Sequence, residues 1–231
     1  MSYFLTSELY KKDSSHNITG EEFSHIMLAR RHKAGDRIEL QDPAGTRFVG
    51  AITSVEKKSL TVLCGEKVES PNEPDTNLTL FLPILAQENL TLVLQKSVEL
   101  GANEIVLTQT DRSQPFSKAK FEDKQPRFEK ILTEAAKQCG RTNTPQISYI
   151  AFSELSPLLQ KFESVIVLNE QGNKDKIPKG TFRALILGPE GGLSPYELDF
   201  LKKTPNATHI KISNFTLRAE TAAIAGLALA I

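Results

Sequence analysis

Residues 78–108 read LTLFLPILAQENLTLVLQKSVELGANEIVLT. Leu78 to Leu85 is an apolar run with little polar interruption, the pattern of a strand buried on both faces. From Asn89 to Leu100 the apolar residues return at helical spacing, and Gly101 stands at the C′ position where a helix can end. Glu104 to Thr108 is a second strand. Strand, helix and strand within roughly thirty residues make a βαβ unit, whose strands must lie parallel in one sheet.

The same alternation runs on downstream. A basic helix is expected around residues 121–139, with strands at Ser164–Leu168 and Arg183–Leu187. A helix from Pro195 to about Lys203, a strand at Thr208–Ile212 and an alanine-rich helix from Ala219 close the chain. Upstream the texture differs. Arg37–Leu40, Phe48–Ile52 and Leu60–Leu63 are short strand-like runs separated by turn signals such as Asp42-Pro43-Ala44-Gly45, which suggests a small barrel. Between the two regions, Glu69 to Asp75 carries two prolines and no large apolar residue, and reads as a linker. The expected organisation is a β-rich domain over residues 1–70 and an α/β domain over residues 76–231.

Composition narrows the function. The chain has 231 residues, 39% of them hydrophobic, and 28 basic residues balance 28 acidic ones. Such balance argues for RNA only where positive charge is gathered into patches. Residues 112–141 gather Arg112, Lys118, Lys120, Lys124, Arg127, Lys130, Lys137 and Arg141 against four acids. Arg30, Arg31, Lys33 and Arg37 form a second group beside Asp36. Taken alone, each patch reads equally well as a solvated face. The two cysteines, Cys64 and Cys139, form no CxxC pair, and the four histidines lack ligand spacing. Neither a metal site nor a disulfide framework is expected. No leader-like or membrane-length apolar stretch occurs, so a cytoplasmic protein with no membrane association is expected.

Two stretches carry chemistry. Leu187-Gly188-Pro189-Glu190-Gly191-Gly192-Leu193-Ser194-Pro195-Tyr196-Glu197 follows a strand and opens a helix. Ser194 suits an N-cap, Pro195 the first turn and Glu197 the third position of a capping box. The glycines let backbone approach a ligand, which open α/β sheets bind outside the carboxyl ends of their strands. On spacing alone the stretch could equally be a tight loop with no ligand. The second stretch, Leu217-Arg218-Ala219-Glu220-Thr221-Ala222, enters the final helix. On local grounds an Arg-x-Glu pair there is more often a cap interaction than a site.

These two stretches, with three more upstream, resemble the family of methyltransferases that modify N3 of a uridine in small-subunit ribosomal RNA. Gln95-Lys96 with Glu99-Leu100-Gly101 is similar to its QKxxELG motif, and Arg112-Ser113 to an Arg-Ser after the next strand. Glu134 to Arg141 with Pro145 resembles its EAAxQxGR motif. Arg30-Arg31-His32-Lys33-Ala34-Gly35-Asp36 is similar to a basic stretch of its PUA-like domain. The chain departs from the family at Ser213-Asn214-Phe215-Thr216, where Gly-Arg-Ile is common.

The resemblance implies an N-terminal PUA-like β-barrel and a C-terminal trefoil-knotted parallel-sheet domain of the SPOUT class. It implies S-adenosylmethionine as methyl donor, no metal, 16S rRNA or the small subunit as substrate, and a homodimer. Carried over by position, the cofactor residues are Leu168, Leu187, Gly188, Glu190, Gly191, Gly192, Ile212, Asn214 and Leu217. Arg218 and Glu220 take the catalytic positions. Arg112 and Arg141 face RNA, with Arg30, Arg31 and Lys33 as a docking surface. Two other readings remain open: a SPOUT enzyme acting on ribose 2′-O or on tRNA, and a non-catalytic RNA-binding module.

Overall fold

The computed structural model describes residues 3–69, 73–173 and 177–231. Ser70, Pro71 and Asn72, the centre of the expected linker, lie outside the described residues. The chain forms two compact units, one from Met1–Asn72 with Ala136–Asn143, the other from Glu73–Ala135 with Thr144–Ile231.

The smaller unit holds a five-stranded mixed sheet. Its strands are β1 (Phe4–Leu5), β2 (Ser15–Thr19), β3 (Arg37–Gln41), β4 (Arg47–Val55) and β5 (Ser59–Lys67), in the order β1-β3-β4-β5-β2. Only β1 and β3 pair in parallel. Alternation buries Ile38, Leu40, Phe48, Ile52, Leu60 and Val62 on one side, with Ile18 and Ile26 beside them. The outer strands β1 and β2 are bridged by side chains, with Thr6 Oγ1 lying 3.2 Å from His16 Nδ1. Gly50 lets β4 and β5 cross closely, since a Cβ there would lie 2.2 Å from a Val62 methyl.

The segment 136–143 is tied into this unit by buried donors. Tyr3 donates its hydroxyl to the Arg141 carbonyl at 2.8 Å, and Arg47 Nη2 donates to the carbonyls of Gly140 and Arg141. Between β2 and β3 the chain forms helix α1 (Gly20–Ser24) and a turn of π-helix at His25–Ala29, then Arg31 in the left-handed region at φ 58°. None of this, nor β1 or β2, is expected from sequence. The strands are too short for a period to register.

The larger unit holds six strands, all parallel: β6 (Asn77–Pro83), β7 (Glu104–Gln109), β8 (Gln146–Ala151), β9 (Ser164–Asn173), β10 (Phe182–Leu187) and β11 (Ala207–Ile210). Their order is β11-β9-β10-β6-β7-β8. β6, first in sequence, therefore lies inside the sheet and is buried along nearly its whole length. Helices α2 (Gln87–Glu99), α3 (Lys118–Cys139), α4 (Leu155–Leu159), α5 (Pro195–Lys202) and α6 (Ala219–Ala230) join and flank the strands. Gly101 ends α2 with φ 85°, as its C′ position requires.

Two strand ends and one strand differ from the sequence expectation in ways that bear on the site. β6 stops at Pro83, so Ile84 and Leu85 lie beyond the strand. β11 stops at Ile210, which places Ile212 in the following loop. β8 goes unanticipated because it is an outer strand whose residues are mostly half-buried, leaving no continuous apolar run.

The alanine-rich α6 finds its close-packed surface within its own chain. Ala219, Glu220, Ala223, Gly226, Leu227 and Ala230 form its buried stripe. A Cβ on Gly226 would lie 2.4 Å from Leu168 Cδ1 and 3.2 Å from Leu185 Cδ2, so the helix rides directly on β9 and β10. Gly226→Leu is expected to cost about 2 kcal/mol by overpacking. Urea unfolding checks this, and an unchanged midpoint would show that the helix does not seat on these strands.

Candidate active site

The carboxyl ends of β9, β10 and β11 converge on a cleft of about 740 Å³. Three stretches of backbone line it: Leu168–Gln171 at the end of β9, Leu187–Leu193 after β10, and Ile210–Ala219 between β11 and α6, without Asn214. Arg112, from the loop after β7, also lines it.

The loop after β10 is shaped by its glycines. Gly192 N donates to the Pro189 carbonyl at 2.8 Å, closing a tight turn, and Gly192 itself has φ 69°. Gly188 has no room for a side chain, since a Cβ would lie 2.7 Å from Leu193 N and 2.9 Å from the Gly192 carbonyl carbon. At Gly191 the nearest atom to a Cβ is Arg112 Cβ at 3.4 Å, an ordinary contact. The expected capping box is present. Ser194 Oγ accepts from Glu197 N at 3.3 Å, and Glu197 Oε2 accepts from Ser194 N at 2.7 Å.

The structure brings Leu168, Leu187, Gly188, Glu190, Gly191, Gly192, Ile212 and Leu217 together around the cleft, with Arg112 and Arg218. Asn214 is exposed and does not line it, although Ser213 and Phe215 on either side do. Arg218 is exposed at the N-cap of α6, and no hydrogen bond or ion pair among the described residues engages its side chain. The cap pairing of Arg218 with Glu220 is therefore not what the fold uses. Glu220 sits apart from the cleft lining, 9% exposed, and its Oε2 is buried without a hydrogen-bond partner.

The basic residues divide. Arg30, Arg31 and Lys33 are exposed in the smaller unit. Arg141, which the resemblance would set facing RNA, is buried. Lys137, from the same cluster, is also buried and pairs with Glu22 at 2.6 Å. Both sit at the end of α3, where a helical charge pattern gives no sign of what covers it.

Several lining residues escape sequence reasoning. Asn169, Glu170 and Gln171 belong to the long β9, and the polar turn after an apolar run was the available signal. Asn169 Nδ2 donates to His209 Nδ1 at 2.6 Å, and burial pushes the His209 imidazole below its usual value. Phe215 is 82% exposed at the cleft. Its signal was an aromatic ring within a Ser-Asn-Thr loop.

A cleft at the carboxyl ends of a parallel sheet, floored by glycine backbone, marks a small-molecule-binding α/β domain. Comparison with known proteins makes the class specific. The RNA methyltransferase domain family matches residues 71–231, and the RNA methyltransferase PUA domain matches residues 18–63. The chain belongs to the RNA methyltransferase family. It is 28% identical to the ribosomal RNA small subunit methyltransferase E of Bacillus subtilis, over 96% of this chain and 92% of that protein. The Rickettsia conorii protein of the same name is 27% identical, over 97% and 92%. A putative methyltransferase from Legionella pneumophila, solved in complex with the bound cofactor SAM, is 26% identical with a TM-score of 0.85, covering 97% of this chain and 94% of that one.

The backbone geometry sets a test of the loop. Gly188→Ala is expected to lower stability by about 2 kcal/mol, because backbone must move to admit the methyl group. Gly191→Ala should change it by no more than about 0.5 kcal/mol. Thermal denaturation of both variants checks the contrast, and equal effects would contradict the described turn.

Proposed function

We propose that this protein transfers a methyl group from S-adenosylmethionine to N3 of a uridine in 16S rRNA, alone or within the small subunit. It would act in the cytoplasm as a homodimer whose larger unit is a knotted SPOUT domain. A PUA-like RNA-binding domain would cover residues 1–70 and a methyltransferase domain residues 76–231, with the segment 136–143 of the latter belonging to the smaller compact unit. The observation that carries the reading is an uncommitted cation, Arg218, on the rim of a cleft built from the loops of three parallel strands. The names of the relatives support a ribosomal RNA substrate, and the cofactor in the Legionella protein supports the donor.

The cleft suits S-adenosylmethionine. Leu168, Leu187, Ile212 and Leu217 offer apolar walls, and Glu190, Gly191 and Gly192 border the turn. When bound, the cofactor supplies an electrophilic methyl group on a sulfonium.

The remaining chemistry falls to the chain. Uracil N3 becomes nucleophilic only as its proton leaves, and the charge then spreads onto the flanking carbonyl oxygens. A guanidinium is a hydrogen-bond donor with no acceptor, so Arg218 serves as a cation toward that charge and not as a base. Glu220, expected with Arg218 to be catalytic, is buried outside the cleft lining, so direct action on the uracil falls to Arg218. Arg112 faces the RNA across the cleft, and the exposed Arg30, Arg31 and Lys33 dock its phosphates. A base stacked in folded rRNA must be presented outside the stack, which favours single-stranded or distorted RNA.

Nucleoside mass spectrometry after reaction with rRNA should find 3-methyluridine. A ribose methyl group, or a product in tRNA alone, would overturn the assignment. Arg218→Ala should leave S-adenosylmethionine affinity within a few-fold by calorimetry while single-turnover transfer falls about 10²–10³-fold. Lost cofactor affinity with normal transfer at saturating cofactor would show that Arg218 serves the cofactor instead.

Support for the homodimer comes from the carboxyl end of α6, where Leu229 and the following Ile231 remain exposed after the buried stripe has packed on the sheet. Obligate interfaces tend to be large and apolar. Light scattering at micromolar concentration should report twice the chain mass, and a fully active monomer would refute the dimer.

A further inference from the structure

Glu197 does more than its place in the helix requires. A capping box needs one carboxylate oxygen, and Glu197 Oε2 meets that need by accepting from Ser194 N at 2.7 Å. The other oxygen, Oε1, accepts from Asp111 N at 2.9 Å, across 86 positions of sequence. Ser194 Oγ then donates to Asp111 Oδ2 at 2.5 Å. Glu197 is 0% exposed. A capping glutamate ordinarily keeps part of its carboxylate in water, because burying charge is costly unless hydrogen bonds compensate. Here backbone N–H groups compensate, and they come from two different loops.

The loop that Glu197 grips is the one that carries Arg112. Thr110 N donates to Ser113 Oγ at 3.1 Å and Ser113 N to the Thr110 carbonyl at 3.3 Å, so residues 110–113 form a self-closed turn. Arg112 Nη1 donates to the Gly191 carbonyl at 2.9 Å, laying the side chain along the glycine turn at the cleft. The turn after β7 and the turn after β10 are thus joined twice. The joint beneath is the carboxylate of Glu197 with the Asp111–Ser194 pair, and the joint at the surface is Arg112 itself.

We propose that Glu197 is a positioning residue that sets the place of Arg112 at the cleft, with Asp111 and Ser194 as the rest of the latch. The inference rests on the reading of Arg112 as an RNA-facing residue. A side chain with several rotatable bonds loses affinity when its backbone anchor moves, even if the guanidinium is intact. The latch fixes the anchor, and a cation so held presents its remaining donors to RNA in one geometry.

The test is a double-mutant cycle on the full chain with rRNA as substrate. Arg112→Ala should raise KM for RNA, and Glu197→Gln should raise it about tenfold, the size expected for neighbours in one hydrogen-bond network. The amide can accept from Asp111 N or from Ser194 N, but not from both. The variant Arg112→Ala/Glu197→Gln should then be no worse than Arg112→Ala alone. Additive losses, or a fall in thermal stability with KM for RNA unchanged, would overturn the proposal. If Glu197→Gln fails to fold, Glu197→Asp decides: one methylene shorter, its carboxylate keeps the capping bond from Ser194 N and gives up the reach to Asp111 N. An unchanged KM in that variant refutes the latch, and a raised KM that Arg112→Ala abolishes supports it. A wild-type protein that methylates no RNA would instead remove the functional reading beneath, so the two failures are distinguishable.

Discussion

A parallel sheet covered on both faces must send its chain back over the same edge after every strand. The carboxyl ends of β9, β10 and β11 therefore each deliver a loop to one place, and the backbone groups of those loops cannot be paired by the ladders. How closely these returns can approach one another governs the rest of the larger unit. Gly188 stands where the turn after β10 folds back on its own backbone, and Gly226 stands where α6 comes down on Leu168 and Leu185. With side chains at either point the loops would part and the helix would lift, leaving no cleft.

Helix ends convert that crowding into a site. α5 begins directly after the glycine turn and α6 directly after the loop from β11, so two helix N-termini lie close to the cleft lining. Such ends favour negative charge. The two arginines are stationed differently. Arg112 is held along the glycine turn by the Gly191 carbonyl, whereas Arg218 has no hydrogen-bond or ion-pair partner among the described residues.

The smaller unit solves a different problem. Its mixed sheet leaves β1 and β2 as outer strands, and Thr6 with His16 joins them through side chains. The segment 136–143 is held by Tyr3 and Arg47, which satisfy carbonyls that follow the end of α3. A short π-helical turn and a left-handed Arg31 then lead into the exposed basic stretch. Such irregular backbone persists only where its surroundings impose it.

The sequence by itself determined the parallel α/β domain, because the run at 78–85 and the helical spacing after it fix a period that packing has no need to override. It also determined the turn at Gly188–Gly192 and the capping box at Ser194–Glu197, where local chemistry and local geometry coincide. Tertiary structure alone decided which cations face solvent. Lys137 and Arg141 share a charge pattern with Lys118 and Lys120, yet the first two are buried and the last two exposed. It alone placed Asn214 outside the cleft and Phe215 at it, since adjacent loop residues diverge by backbone torsions that no period records. The second role of Glu197 was equally hidden. Its partner Asp111 lies 86 residues away, and only the pairing of distant strands brings that amide to the carboxylate.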